Sequence, residues 1–164
     1  MKETLERIEE KLRPSMPSFE WELRKPLIEK ILQLKEQKNV FVLAHNYQVP
    51  EIFYGIADVT GDSLALAAES LHRPQADAFL FCGVHFMAET AKLFNPTKPV
   101  LIADMEAGCS LAESITGADV RALKELHPGA PVVTYVNSSA EVKAESDICC
   151  TSGNALSVVE SLGA

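Results

Sequence analysis

Short apolar runs alternate with helical patterns along most of this chain of 164 residues. Four such runs follow Asn39, and each precedes a polar or Gly-containing turn and then a helical pattern. They are VFVLA (40–44), AFLFC (78–82), VLIA (100–103) and VVTYV (132–136). Strands that alternate with helices form right-handed βαβ units, in which helices cover both faces of a parallel sheet. The pattern therefore predicts an α/β fold built from three-layer αβα units.

Residues 40–70 and residues 132–161 resemble each other. Each stretch runs from an apolar strand through a turn to an Asp flanked by a small residue and a β-branched residue, around Asp58 and Asp147. A helix start rich in small residues follows in both. This similarity indicates an internal duplication of an α/β unit.

The sequence before Asn39 has a different pattern, with apolar residues at helical spacing and a break at Pro14 and Pro17. We predict an N-terminal helical segment (1–38), a first α/β unit (39–124) and the start of a second unit (125–164). Since the chain ends in a helical pattern with no strand after it, we expect an N-terminal piece of a longer protein.

Composition narrows the classes of function. The chain has 15 Lys and Arg against 23 Asp and Glu, which gives a formal charge of −8, and no basic run interrupts it. A phosphate backbone is therefore an unfavourable partner. The apolar stretches are far shorter than a membrane helix needs, and the charged N-terminus is unlike a signal peptide. We predict a cytoplasmic protein with reduced cysteines and no membrane or nucleic-acid partner.

Ligands of open parallel sheets bind at the carboxyl ends of the strands, where polar residues follow the predicted strands of this chain. His45 is a candidate general acid or base, a ligand donor or an ordinary loop histidine. Cys109 stands in a Gly-Cys-Ser turn that we expect to open a helix, where a thiolate is stabilised as a ligand or nucleophile. The serines near predicted helix starts are helix caps or anion-binding groups. The remaining candidates of this kind are Tyr47, Ser63, Tyr135, Asn137 and Ser152.

The other three cysteines are better explained as packing residues than as metal ligands or nucleophiles. Cys82 ends an apolar run, as a buried small hydrophobe does. Cys149 and Cys150 are adjacent at a strand end, so their side chains point to opposite faces and do not readily chelate one ion together.

Six segments of the chain, in this order, resemble the quinolinate synthase A family of iron-sulfur enzymes in NAD biosynthesis. The segments are LAHNYQVPEI (43–52), GDSLALA (61–67), GVHFMAETAKLFNP (83–96), EAGCSLAES (106–114), PVVTYVNSSAEVKAESD (131–147) and CTSGNA (150–155). The resemblance implies three α/β units related by approximate threefold symmetry, of which this chain has the first and the beginning of the second. It also implies a [4Fe-4S] cluster that acts as a Lewis acid while iminoaspartate condenses with dihydroxyacetone phosphate to quinolinate.

Residue by residue, the resemblance makes Cys109 the first cluster ligand, with two further cysteine ligands expected beyond residue 164. His45 would bind a substrate carboxylate, and Tyr47 would transfer protons. Ser63, Tyr135, Asn137 and Ser152 would hold the dicarboxylic substrate, and Phe86 and Met87 would line the cavity. The L-aspartate oxidase that supplies iminoaspartate is an expected functional partner. We expect this piece alone to be inactive and without a stable cluster.

Two other classes of function remain open at this stage. A stand-alone module of flavodoxin-like type would bind a small anion at the same strand ends without a metal. A structural α/β domain would use the polar strand ends only as caps, which leaves the six ordered segments unexplained. The enzyme and the binding module differ in their need for Cys109. Loss of this cysteine would abolish function only in a protein that binds a cluster.

Overall fold

The computed structural model describes residues 1–163. Its elements in chain order are α1 (Lys2–Leu12), α2 (Ser18–Gln37), β1 (Val40–His45), α3 (Pro50–Gly55), β2 (Val59–Gly61), α4 (Ser63–Leu71), β3 (Ala78–Cys82), α5 (His85–Phe94), β4 (Val100–Ile102), α6 (Gly117–Leu126), β5 (Val133–Tyr135), α7 (Ala140–Ala144), β6 (Ile148–Cys150) and α8 (Ala155–Ser161). Within this part of the chain, no helix combines the length and the apolar character that crossing a bilayer requires.

The strands form two parallel sheets, one of four strands in the order β2-β1-β3-β4 and one of two strands, β5-β6. The prediction of an α/β fold with a parallel sheet is therefore confirmed. All four predicted strands are present, and the structure adds two strands of three residues, β2 beside β1 and β6 beside β5.

The side chains along each strand of the larger sheet alternate in direction, so both faces of the sheet carry apolar residues. Helices cover both faces. On one face Leu43, Phe79 and Phe81 are fully buried in a core shared with α4 and α5. On the opposite face Val42 and Ala44 pack in a second core with residues of α1 and α2. Burial on both faces explains why the strands read as continuous apolar runs.

The predicted duplication is visible in the structure where β2 begins beside β1 and where β6 begins beside β5. Asp58 accepts a hydrogen bond from the Val42 N–H (2.7 Å), and its own N–H donates to the Val42 carbonyl (2.9 Å). Asp147 makes the same two bonds with Val132, at 2.8 and 2.9 Å. In both places the Asp precedes a strand and fixes its parallel register against its neighbour.

The similarity extends to the helix that precedes each unit. The Lys35 ammonium on α2 donates to the Ile56 carbonyl (2.7 Å), and the Lys124 ammonium on α6 donates to the Glu145 carbonyl (3.1 Å). Each carbonyl belongs to the residue two positions before the Asp of its unit. The division into residues 1–38, 39–124 and 125–164 stays a prediction, and its second boundary falls inside α6.

The second unit contacts the first through α5 and α7. The Glu89 carboxylate on α5 accepts a hydrogen bond from the Ala140 N–H at the start of α7 (2.8 Å), where a negative charge complements the helix dipole. The Lys143 ammonium lies 5.8 Å from the centroid of the Phe86 ring. These contacts set how the strand ends of the two units face each other.

Candidate active site

A cleft of about 530 Å³ lies where the β2–α4 junction of the first unit meets the strand ends of the second. Its polar lining consists of Asp62, Ser63, Tyr135, Asn137, Thr151 and Ser152. Four of these six are residues for which the sequence predicts substrate binding. Residues from two different units thus come together in one cleft, and their roles remain predictions.

The first unit contributes the N-terminus of α4. Asp62 is the N-cap of this helix, because its Oδ1 accepts a hydrogen bond from the Ala65 N–H (2.9 Å). Ser63 is therefore the first residue of the helix and its hydroxyl is not the cap. A helix start with free N–H groups next to a hydroxyl suits an anionic ligand such as a carboxylate.

The second unit contributes the end of β5 and the turn after β6. Tyr135 is the last residue of β5 and its side chain is 48% exposed. Ser152 lies in a turn before α8, which Asn154 closes by accepting a hydrogen bond from the Thr151 N–H (2.7 Å). The lining of this side is neutral: two hydroxyl side chains, a phenol and an amide.

Strand register makes the two sides of the site equivalent. His45 pairs with Gly61 and Tyr135 pairs with Cys150, in the same relation between neighbouring strands. The N–H of the following residue donates to the carbonyl of that partner in both units, at 3.0 and 2.8 Å. Counting onward from these pairs equates His45 with Tyr135, Tyr47 with Asn137, and Ser63 with Ser152.

His45 and Tyr47 lie at the end of β1 and outside the lining of the cleft. His45 is 8% exposed as a whole residue, and its Nδ1 accepts a hydrogen bond from the Tyr47 N–H (3.3 Å). A neutral His45 therefore carries its proton on Nε2. Burial lowers the pKa of His45 below its ordinary value, while the negative charge of Asp62 acts in the opposite direction. The Tyr47 ring contacts His45 edge-on, with 4.5 Å between centroids, and is 90% exposed.

Cys109 is half-buried in the loop that follows β4. The expectation that it opens a helix is wrong, because residues 109–113 form turns and α6 begins at Gly117. The Glu113 carboxylate accepts a hydrogen bond from the Cys109 N–H (3.1 Å). An acidic side chain, and not the N-terminus of a helix, therefore lies next to Cys109. A hydrogen bond from the His85 N–H to the Ala107 carbonyl (2.8 Å) joins this loop to the edge of the sheet where the strands end.

The other thiols lie in different surroundings. Burial raises the pKa of Cys82 to about 11, so this thiol stays protonated in the core. Cys149 is exposed and Cys150 is half-buried, both on β6. Residues 1–163 contain no group of three His, Cys, Asp or Glu side chains placed to hold a metal ion. The role of Cys109 as a cluster ligand stays a prediction.

Phe86 and Met87, which the resemblance places in a cavity, do not line this cleft, and their place beside a substrate stays a prediction. Both side chains are buried in the core beneath the first sheet, with 6% and 7% of their surface exposed. Conversely, the sequence analysis missed Asp62 and Thr151 as lining residues. Each directly precedes a predicted serine, in the segments GDSL and CTSGNA, and this adjacency was the available signal.

A parallel α/β fold with a polar cleft at its strand ends defines the class of small-molecule-binding α/β proteins, many of which are enzymes. The family described as "Quinolinate synthetase A protein" matches residues 29–164. The chain is 59% identical to the quinolinate synthase of Sinorhizobium medicae over 157 residues, which are 96% of this chain and 44% of the relative. It is 65% identical to the quinolinate synthase of Xylella fastidiosa (strain Temecula1) over 136 residues, 83% of this chain and 40% of the relative.

The chain belongs to the quinolinate synthetase A family. It spans less than half the length of the curated relatives that it matches. The resemblance expected from the six sequence segments is therefore confirmed at the level of the family.

Proposed function

We propose that the protein to which this chain belongs is a quinolinate synthase, which condenses iminoaspartate with dihydroxyacetone phosphate to quinolinate in NAD biosynthesis. The cleft between the two units is the proposed binding site of the dicarboxylic substrate. The observation that carries this proposal is the meeting of Ser63, Tyr135, Asn137 and Ser152 in that cleft.

The chemistry of the cleft supports a dicarboxylate as ligand. Hydroxyl and amide donors, together with the N–H groups at the start of α4, donate to carboxylate oxygens without placing a permanent cation in the site. The equivalence of Ser63 with Ser152 adds a structural reason. Each unit thus places one equivalent serine hydroxyl in the same cleft, which suits a substrate that has a carboxylate at each end.

His45 and Tyr47 are proposed to act from the adjacent end of β1. The Tyr47 N–H occupies Nδ1 of His45, so Nε2–H is the atom available to donate to a substrate carboxylate. The exposed hydroxyl of Tyr47 is the proposed proton carrier during isomerisation and ring closure. Its ring contact with His45 limits where the hydroxyl can go.

Cys109 is proposed as one ligand of a [4Fe-4S] cluster, with two further cysteine ligands from the same protein beyond residue 164. The position fits this role because the loop of Cys109 is joined to the strand-end edge and Cys109 is only partly buried. A bound cluster with one iron free of cysteine would supply a Lewis acid. We further propose a cytoplasmic location and a functional coupling to L-aspartate oxidase.

The test compares Cys109→Ala with Cys149→Ala in the full-length protein. Cys149 is also an accessible thiol, so it controls for the general loss of a cysteine. We expect Cys109→Ala to lose protein-bound iron, sulfide and quinolinate formation, and Cys149→Ala to keep all three. The chain of 164 residues, reconstituted under anaerobic conditions, is expected to hold no stable cluster and to make no quinolinate.

Two results would contradict the proposal. A full-length protein that binds a dicarboxylate with the same affinity with or without Cys109, and that holds no iron, would be a binding module. A stoichiometric and active cluster on the 164-residue chain would show that the missing ligands are not required.

A further inference from the structure

We infer that Glu89 is a positioning residue for the cleft, because it holds the loop that carries Asn137 against the first unit. This inference rests on the proposed function of the cleft and deepens it, since Glu89 itself lies outside the lining. It starts from the short connection between Asn137, which lines the cleft, and Ala140, the first residue of α7.

The Glu89 carboxylate binds the second unit at the start of α7. It accepts a hydrogen bond from the Ala140 N–H (2.8 Å), and both residues are half-buried. A hydrogen bond to a charged oxygen is stronger than one between neutral groups, and partial burial shelters this one from water. Ala140 is three residues after Asn137 along the chain. The bond therefore fixes one end of a loop whose other end lies in the cleft.

A second contact between the same two helices fixes the orientation of α7. Phe86 and Glu89 are three residues apart on α5, so they lie on the same face of that helix. Ala140 and Lys143 have the same spacing on α7. The Lys143 ammonium lies 5.8 Å from the centroid of the Phe86 ring. Together with the bond to Glu89, this contact limits both the position and the rotation of α7 against α5.

Lys143 extends this restraint to the residue beside Asn137. Its ammonium donates a hydrogen bond to the carbonyl of Ser138, which is 4% exposed. The hydroxyl of the next residue, Ser139, caps α7. Both residues between Asn137 and α7 are thus bound to this helix, and Glu89 binds the helix to the first unit.

The internal duplication shows that the bond to Glu89 is not a general feature of the repeat. Counting onward from the equivalent pair His45 and Tyr135 equates Ala140 with Pro50, the first residue of α3. Proline has no N–H, so the first unit cannot form the equivalent bond. The bond occurs in the unit whose loop meets its neighbour at the cleft.

The experiment compares Glu89→Gln, Glu89→Ala and Asp119→Ala in the full-length protein. Gln keeps an oxygen that can accept from the Ala140 N–H, whereas Ala removes the acceptor. Asp119 accepts a hydrogen bond from the Thr116 N–H within the second unit, so Asp119→Ala controls for the loss of a carboxylate bound to the backbone. Calorimetry measures the affinity for succinate, a stable dicarboxylate, and steady-state kinetics measure KM and kcat for iminoaspartate.

We expect Glu89→Ala to weaken succinate binding and to raise KM about tenfold while kcat stays within about twofold, because the change affects how the substrate is held. Glu89→Gln is expected to recover most of this loss, and Asp119→Ala to show none. In an Asn137→Ala background, Glu89→Ala is expected to cause no further loss, because Glu89 acts through Asn137.

Hydrogen exchange of the ligand-free protein tests the contact without the reaction. Exchange in residues 137–144 is expected to be faster in Glu89→Ala than in the unchanged protein, with β1 and β3 unaffected. If the unchanged protein neither binds succinate nor makes quinolinate, the proposed function fails. Faster exchange in Glu89→Ala would then still support the restraint on the Asn137 loop.

Three outcomes would overturn the inference. One is unchanged exchange of residues 137–144 in Glu89→Ala. Another is faster exchange with unchanged succinate affinity and KM, which is the result of a structural contact alone. The third is a tenfold loss that persists when Asn137 is already replaced, since Glu89 would then act by another route.

Discussion

The paired aspartates of the two units offer a matched test of what stabilises this fold. Asp58 and Asp147 make the same two backbone hydrogen bonds, to Val42 and Val132. Asp58 also forms an ion pair with Lys35, with 2.7 Å between Oδ1 and Nζ and side chains only 27% and 17% exposed. Asp147 is exposed. Replacing each aspartate with Ala therefore removes the same bond to the backbone, but removes a sheltered ion pair in the first unit only.

The expected losses of unfolding free energy follow from these contacts. A hydrogen bond to a carboxylate contributes about 1.5 kcal/mol, and less at an exposed site. The Lys35 pair adds about 1 kcal/mol after allowance for its partial exposure, because an ion pair open to solvent is worth little. We expect Asp58→Ala to cost about 2.5 kcal/mol and Asp147→Ala about 1 kcal/mol. For a chain of this length, the first corresponds to a fall of roughly 5–10 °C in melting temperature.

Urea denaturation followed by circular dichroism measures both losses, and a double-mutant cycle with Lys35→Met isolates the ion pair. The cycle is expected to give a coupling energy of about 1 kcal/mol between Asp58 and Lys35. Equal losses for the two aspartate variants, or a coupling energy of zero, would refute the reasoning. Either result would mean that the ion pair contributes nothing beyond the bond to the backbone.

Two further predictions concern the site and the thiols. In the full-length enzyme, Tyr47→Phe is expected to reduce turnover by about 100-fold while iron and sulfide content stay unchanged, because it removes only a proton carrier; a parallel loss of cluster and turnover would make Tyr47 structural. At pH 8 in the folded protein, an aromatic disulfide reagent is expected to label the exposed Cys149 quickly and Cys82 only after unfolding, since burial raises the pKa of Cys82 to about 11. Peptide mapping by mass spectrometry measures the labelling, and equal labelling of both cysteines in the folded protein would contradict the burial of Cys82.

The longer elements could be predicted from the sequence because local pattern determines them. The first two helices are separated where Pro14 and Pro17 interrupt the helical spacing, and the runs of β1 and β3 are apolar because both faces are covered. The strand β2 was not predicted. It has three residues at the edge of the sheet, and its place depends on the bonds between Asp58 and Val42, which are distant in sequence.

The error at Cys109 has a local physical cause. The sequence after it resembles a helix start, but the Glu113 side chain folds back onto the Cys109 N–H and closes a turn. The helix begins later, where Thr116 and Asp119 form a capping box. Competition between a side chain and the backbone for the same N–H group is not visible in hydrophobic periodicity.

The sequence predicted only part of the candidate site, because the rest depends on contacts that hydrophobic patterns do not show. The rule that ligands bind at strand ends identifies Ser63 and Ser152, because it needs only the order of the elements. The cleft that joins them depends on how two units pack, through contacts such as the one between Glu89 and the Ala140 N–H. Asp62 and Thr151 became visible as lining residues only with that packing.

The small second sheet has a thermodynamic consequence for the cleft. In residues 1–163, β5 pairs with β6 alone, through strands of three residues each, and two such strands are marginal without a partner surface. In the chain of 164 residues, we expect the amide hydrogens of this sheet to exchange with solvent by a subglobal opening of lower free energy than that of β1 and β3. This opening would remove from the cleft the residues that the second unit contributes. A bound dicarboxylate would therefore slow exchange in β5 and β6 by mass action, which makes ligand affinity and local folding two readings of the same equilibrium.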